Sequence, residues 1–234
     1  MADYLQQAAL ALSEPQLAAA QQALAATLAA APATDYPDLY RYPVPKLGEG
    51  GSCSLIDELE EQPWNIAPQF GGESPQLAQQ LQALQRLLDA VLALVPADWL
   101  GVYCRLPGVE ADVLLKLAYR GLPSRAEFPL TEAFAVASNN SKVGRSGHGV
   151  VIDDVRQWQQ DGGAYYECDP KVRSEVCLPV FDEAGAVIGI LDAESAQPGF
   201  FHAAHQATLA ALACALSAHF VDLRALAKSA VPAL

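Results

Sequence analysis

The chain has 234 residues, 52% of them apolar and 18% charged, with a net charge of −13. That balance fits one large domain, or a medium domain with an appendage, built around a sizeable core. The acidity argues against nucleic acid or an anionic membrane as a partner, and no apolar run reaches the roughly 18 residues of a membrane span.

The opening stretch MADYLQQAALALSEP lacks the positive region of a secretory leader, so a cytoplasmic location is expected. Residues 2–31 are rich in alanine and glutamine, with helical stretches on either side of Ser13-Glu14-Pro15. Serine caps and proline suits a first turn, so a second helix starts there. Leu17, Leu24 and Leu28 then share one face, which predicts a helical pair packing on the main domain or on a second copy in a homodimer. Residues 32–75 hold six prolines before Pro75, several tyrosines and the acidic run SLIDELEEQPW. This composition predicts an extended arm with a helical turn or two, docking its aromatics on a neighbouring surface.

From Ser74 the pattern becomes regular. SPQLAQQLQALQRLLDAVLALV places Leu77, Leu81, Leu84, Leu87, Leu88, Val91, Leu92 and Val95 on one stripe of an amphipathic helix. DWLGVYCRL and VLLKLAYRG read as strands around a turn at Pro107-Gly108, AEFPL as a brief strand, and GVVIDDV as another. TEAFAVASNNSKVGRSG reads as a short helix followed by a mobile loop over 138–147. SEVCLPVFDEAGAVIGILDAES reads as a hairpin turning at Glu183-Ala184-Gly185, and PGFFHAAHQATLAALACALSAHFVDLRALA as a long C-terminal helix. The expected organisation is an N-terminal extension (1–75), a main domain (76–226) and a short tail (227–234). The fold class is α+β: a mostly antiparallel sheet of five or six strands with its terminal helices on one face.

Strand alternation decides which side chains can meet. Trp99, Gly101 and Tyr103 share a face, as do Glu175 with Cys177, and Ile190 with Asp192 and Glu194. If the apolar faces pack on the helices, two aromatics and three carboxylates line the other side of one sheet, a clustering that marks a candidate site. For any one acid alone, a solvated strand end is the simpler reading.

The segment from about 76 to 225 resembles a GAF domain, most visibly in LPVFDEAGAVIGILDAES followed by FFHAAHQATLAALA. More narrowly, W-x-G-x-Y at 99–103, C-D-x-x-x-R-S-E at 168–175 and L-D-x-E-S at 191–195 resemble the free methionine-(R)-sulfoxide reductases, single-domain GAF enzymes acting on the free amino acid. The resemblance implies Cys168 as nucleophile, Glu175 and Asp192 as ligands or proton donors, Glu194 (aspartate in the family) orienting the amine, and Trp99 and Tyr103 as the wall. It implies neither cofactor nor metal. Sulfoxide reduction needs a thiolate at sulfur and a proton for the departing oxygen. A carboxyl crowded by others in an aromatic-walled pocket can hold that proton near neutral pH, and a remaining carboxylate can pair with an ammonium.

The five cysteines, at 53, 104, 168, 177 and 214, are odd in number and include no CxxC pair, which suits reduced cytosolic thiols. The family carries two further cysteines ahead of the Cys168 loop, and the corresponding positions here are Arg125 and Ala135. Recycling a sulfenic acid on Cys168 therefore needs another thiol. Cys177 could serve, or could be a small buried strand residue. Cys104 and Cys214 are assigned to the core, Cys53 reaches the pocket only if the arm folds over it, and an external thiol such as glutathione remains open. His202 and His205 lack a third metal ligand, GEGGS lacks a phosphate-loop ending, and Ser146 with His148 lacks an acid partner. Beside the reductase stands a second reading: a non-catalytic module that binds an amino-acid-like ligand.

Overall fold

The computed structural model describes residues 4–48, 54–163, 165–166 and 169–230. Cys53, Cys168 and the end of the tail lie outside the described residues. Two N-terminal helices come first, α1 (Tyr4–Gln7) and α2 (Glu14–Ala30). Helix α2 is capped at Ser13, where Gln16 reaches back to the Ser13 amide in a capping box and Pro15 sits in the first turn. Leu17 and Leu24 are buried, as their spacing requires.

The arm is more ordered than its composition suggests. It contains two nested antiparallel pairs, β1 (Arg41–Tyr42) with β4 (Trp64–Asn65) and β2 (Pro45–Leu47) with β3 (Ser54–Leu59). A 3₁₀ turn over Ala67–Phe70 follows. Tyr42, Val44, Ile66 and Phe70 join the main hydrophobic core, so the arm does dock its apolar residues on the domain.

Helix α3 (Pro75–Leu94) is capped by Ser74, whose hydroxyl accepts the Leu77 amide, and it buries Leu77, Leu81, Leu84 and Leu88 completely. The central sheet has six strands: β5 (Trp99–Leu106), β6 (Val113–Arg120), β7 (Glu127–Pro129), β8 (Val150–Ile152), β9 (Ser174–Phe181) and β10 (Val187–Ser195). Their order is β7-β6-β5-β10-β9-β8, and every pairing is antiparallel. The long helix α7 (Ala203–Ala230) lies against β5, β9 and β10, with α2 and α3 packed beside it. Among the described helices it alone is long and apolar enough to cross a membrane, but Leu209, Leu212, Leu216 and Phe220 are fully buried in this core.

The other face of the sheet differs from expectation. Helix α5 (Asn139–Ser146) packs there with the short α4 (Glu132–Ala135) beside it, so the stretch expected to be a mobile loop over 138–147 is helical; a further short helix, α6 (Val155–Gln160), follows β8 in the chain. Ser138 caps it by accepting the Ser141 amide, and Gly147, with φ of 73°, ends it in the left-handed region that favours glycine. A Cβ on Gly144 would stand 2.8 Å from Leu130 and 3.0 Å from Leu114, so glycine lets this helix lie close on the sheet.

Candidate functional site

Between the sheet and α5 lies a cavity of about 280 Å³. Strand register builds its floor. Trp99, Glu194 and Glu175 form one row across β5, β10 and β9, and Gly101, Asp192 and Cys177 form the next. Trp99, Tyr103, Glu175, Asp192 and Glu194 all line the cavity, as alternation requires. Gly101 has a steric reason to be glycine: a Cβ there would stand 2.2 Å from the Trp99 ring. The indole N–H of Trp99 donates to the Leu122 carbonyl at 3.0 Å, fixing the ring as a wall.

Helix α5 supplies two residues that the sequence reading missed. Asn139 Nδ2 donates to Glu175 Oε1 and Asn140 Nδ2 to Asp192 Oδ2, each at 3.1 Å. Both amides are buried, so each gives a desolvated acid a hydrogen-bond donor. The signal that could have found them is the bracket of Ser138 and Gly147 around one short helix, hidden because SNNSK has loop-like composition. Tyr165 hydrogen-bonds to Glu175 as well.

Burial drives the electrostatics of the three acids. Asp192 is held well above the carboxylate range, first by desolvation and then by Glu175 and Glu194. Glu175 is pushed up to about 7 by burial, against the opposing bonds from Asn139 and Tyr165. Glu194 is pushed up to about 8 by burial, with Glu175 and Asp169 adding to it. Asp192 Oδ1 is buried and has no hydrogen-bond partner among the described residues. Such a set shares protons near neutrality.

Cys168 lies outside the described residues, while Tyr166 and Asp169, before and after it in sequence, line the cavity. Arg125, in the position matched to one of the family's further cysteines, is buried. Its guanidinium lies 4.9–5.5 Å from the ring centres of Phe128, Phe134 and Tyr166, and its Nη1 donates to the Tyr166 hydroxyl at 2.7 Å. Ala135, at the other such position, closes α4.

Cys177 lies on the cavity side of β9, as alternation predicts, but its sulfur is buried and donates to Asn140 Oδ1 at 3.2 Å. Burial, then Asp192 and Glu175, push its thiol well above the usual range, which disfavours the reactive thiolate. Cys104 is fully buried in the main core and Cys214 partly buried against it, in keeping with their core assignment. Among the described residues no cysteine lines the cavity and no cluster suits a metal ion.

The GAF domain family matches residues 80–219. Among solved structures, the type II free methionine-R-sulfoxide reductase of Thermoplasma acidophilum is 21% identical with a TM-score of 0.54, covering 64% of this chain and 97% of its own. The free methionine-R-sulfoxide reductase of Neisseria meningitidis, solved in complex with its substrate, is 23% identical with a TM-score of 0.50, covering 69% and 85%. The GAF domain of a phosphoenolpyruvate-protein phosphotransferase from Coxiella burnetii is 20% identical with a TM-score of 0.51, covering 68% and 89%. No curated protein matches the chain. At these identities the structural likeness is one of fold, and it extends to reductases and to other GAF domains alike. With more than half of its length matched, the chain belongs to the GAF domain family.

Proposed function

We propose that the cavity binds a free amino acid of the methionine sulfoxide type and that Cys168 reduces it. The observation that carries this reading is the convergence of Glu175, Asp192 and Glu194 with Trp99 and Tyr103 around one small cavity. An aromatic wall suits a methylsulfinyl group, since sulfur–ring contacts contribute roughly 0.3–1.5 kcal/mol. The acid that keeps its proton serves the sulfoxide oxygen, while an ionised neighbour pairs with the ammonium. Over a full turn two thiols become a disulfide, the sulfoxide becomes a thioether, and the oxygen leaves as water. One thiol is Cys168, and the other comes from a low-molecular-weight donor of the cytosol.

Incubation with L-methionine-(R)-sulfoxide and dithiothreitol tests the reading. Wild type is expected to form methionine and Cys168→Ser to form none. No product from wild type, or equal product from both, overturns it.

A second reading is favoured by one group of observations. Arg125 and Ala135 stand where the family's further cysteines are expected, and the Cys177 thiol is already bonded to Asn140. On that reading the same cavity captures an amino-acid ligand without turnover. Calorimetric titration with methionine sulfoxide and with methionine separates the two: saturable binding without product leaves the binding module, and no binding removes both.

A further inference from the structure

We propose that Lys116 is a positioning residue for the ligand cavity, and that Tyr42 of the N-terminal arm holds it in place. The arm is then a working part of the site. The inference rests on the cavity's being the binding site and does not depend on turnover.

Lys116 is a charged residue with no solvent exposure, on the second strand of the sheet. Burying an ammonium is costly unless its donors are satisfied. Here Nζ donates to the Ser124 carbonyl at 2.6 Å and to Ser124 Oγ at 2.8 Å. It also lies over two ring faces, 4.8 Å from the centre of Tyr42 and 4.2 Å from that of Tyr119.

Both ends of this arrangement matter to the cavity. Leu122, Pro123 and Ser124 form one lip of it. Lys116 pins that lip at Ser124, and the Trp99 indole pins it two residues earlier, at the Leu122 carbonyl. Gly121, with φ of 109°, makes the tight approach to Trp99 possible. Tyr119 stacks on Trp99 with ring centres 6.3 Å apart, so the ring beneath the ammonium also backs the cavity wall.

The arm supplies the cover. Tyr42 Oη donates to the Lys116 carbonyl at 2.7 Å, and the Tyr42 ring meets Tyr119 edge-on at 5.7 Å. Without that ring one face of the ammonium opens to water, which then competes for its donors. The Ser124 anchor loosens, and with it the carbonyl that holds the Trp99 indole. Tyr42 is 74 residues from Lys116 in sequence, so the coupling exists only in the folded arm.

The test uses the full chain without ligand and reads solvent exchange of the Trp99 indole proton by NMR, with the signal assigned from Trp99→Phe. Tyr42→Ala is expected to speed that exchange at least tenfold while core amides of α3 stay within twofold of wild type. Tyr42→Phe keeps the ring and loses the hydroxyl, and is expected to fall between. If Tyr42→Ala does not fold, Tyr42→Phe decides, with threefold as its threshold. An unchanged indole rate, or an equal rise across all core amides, overturns the proposal. Calorimetry with L-methionine-(R)-sulfoxide adds a functional readout: affinity is expected to weaken at least tenfold in Tyr42→Ala, and an unchanged affinity overturns the positioning role. A wild type that binds none of this probe counts against the ligand proposed above, and the indole rate still decides for Lys116 and Tyr42.

Discussion

Asn140 and Cys177 are joined by a hydrogen bond from Sγ to Oδ1 at 3.2 Å, and the same amide donates its Nδ2 to Asp192. One side chain from a short helix thus satisfies a buried thiol and a buried carboxylate on two neighbouring strands. Removing it leaves both without that partner. Asn140→Leu, similar in volume, is expected to lower stability by roughly 1–3 kcal/mol, the cost of an unsatisfied buried polar group. Asn140→Asp is expected to be worse at pH 8 and partly relieved at pH 5.5, because it adds a fourth acid to the set. Urea denaturation at the two pH values checks both, and equal destabilisation by Asp at both would refute the electrostatic account.

The acids also make stability depend on pH. Glu175 and Glu194 titrate near 7 and 8 in the folded chain against an ordinary value of 4.5, so folding takes up protons across that interval. Stability is therefore highest at the low end, falls as pH rises through the folded values, and levels off above them. His205 and His219 are lowered by burial and act in the opposite sense, but only below their ordinary value of 6.5. Urea midpoints between pH 6.8 and 8.0, above the ordinary histidine value and below the ordinary thiol value of 9.0, isolate the acids and are expected to decline. Glu175→Gln with Glu194→Gln is expected to flatten that decline, and a wild-type curve already flat there would sink the assignment.

Gly101 tests the wall. A methyl group there collides with the far edge of the Trp99 indole, which cannot swing freely because its N–H is bonded to Leu122. Gly101→Ala is expected to displace the ring, weaken binding of methionine sulfoxide about tenfold or more, and cost about 1–3 kcal/mol from overpacking. Near-native affinity by calorimetry would show that the indole is not a ligand contact.

How much of this was legible in sequence follows from what each element depends on. The leucine stripe of α3 and the alternation of β5, β9 and β10 are local patterns, and they brought Trp99, Tyr103, Glu175, Asp192 and Glu194 to one face. The arm's strands are two or three residues long, apart from β3, too short for alternation to register. Helix α5 hid behind a polar sequence whose buried asparagines look like solvated loop until the acids they serve are placed opposite. The Tyr42 and Lys116 pair has no local signature, because the lysine is covered only when the Tyr42 ring, 74 residues away in sequence, closes over it beside Tyr119 and the Ser124 carbonyl.

Cys177 offers the sharpest separation between the ways a sulfenic acid on Cys168 could be resolved. A resolving thiol must ionise and move, whereas this one is buried on a central strand, raised by burial and by two acids, and tied to Asn140. Cys177→Ala is therefore expected to leave turnover with dithiothreitol within about threefold of wild type, while costing on the order of 1 kcal/mol for the lost bond and small void. With one equivalent of methionine sulfoxide and no added thiol, wild type is expected to accumulate a sulfenic acid trapped by dimedone on Cys168, as Cys177→Ala does. If wild type instead yields a Cys168–Cys177 disulfide by mass spectrometry, the strand must open during the reaction, and Asn140 would then act as the latch that releases it.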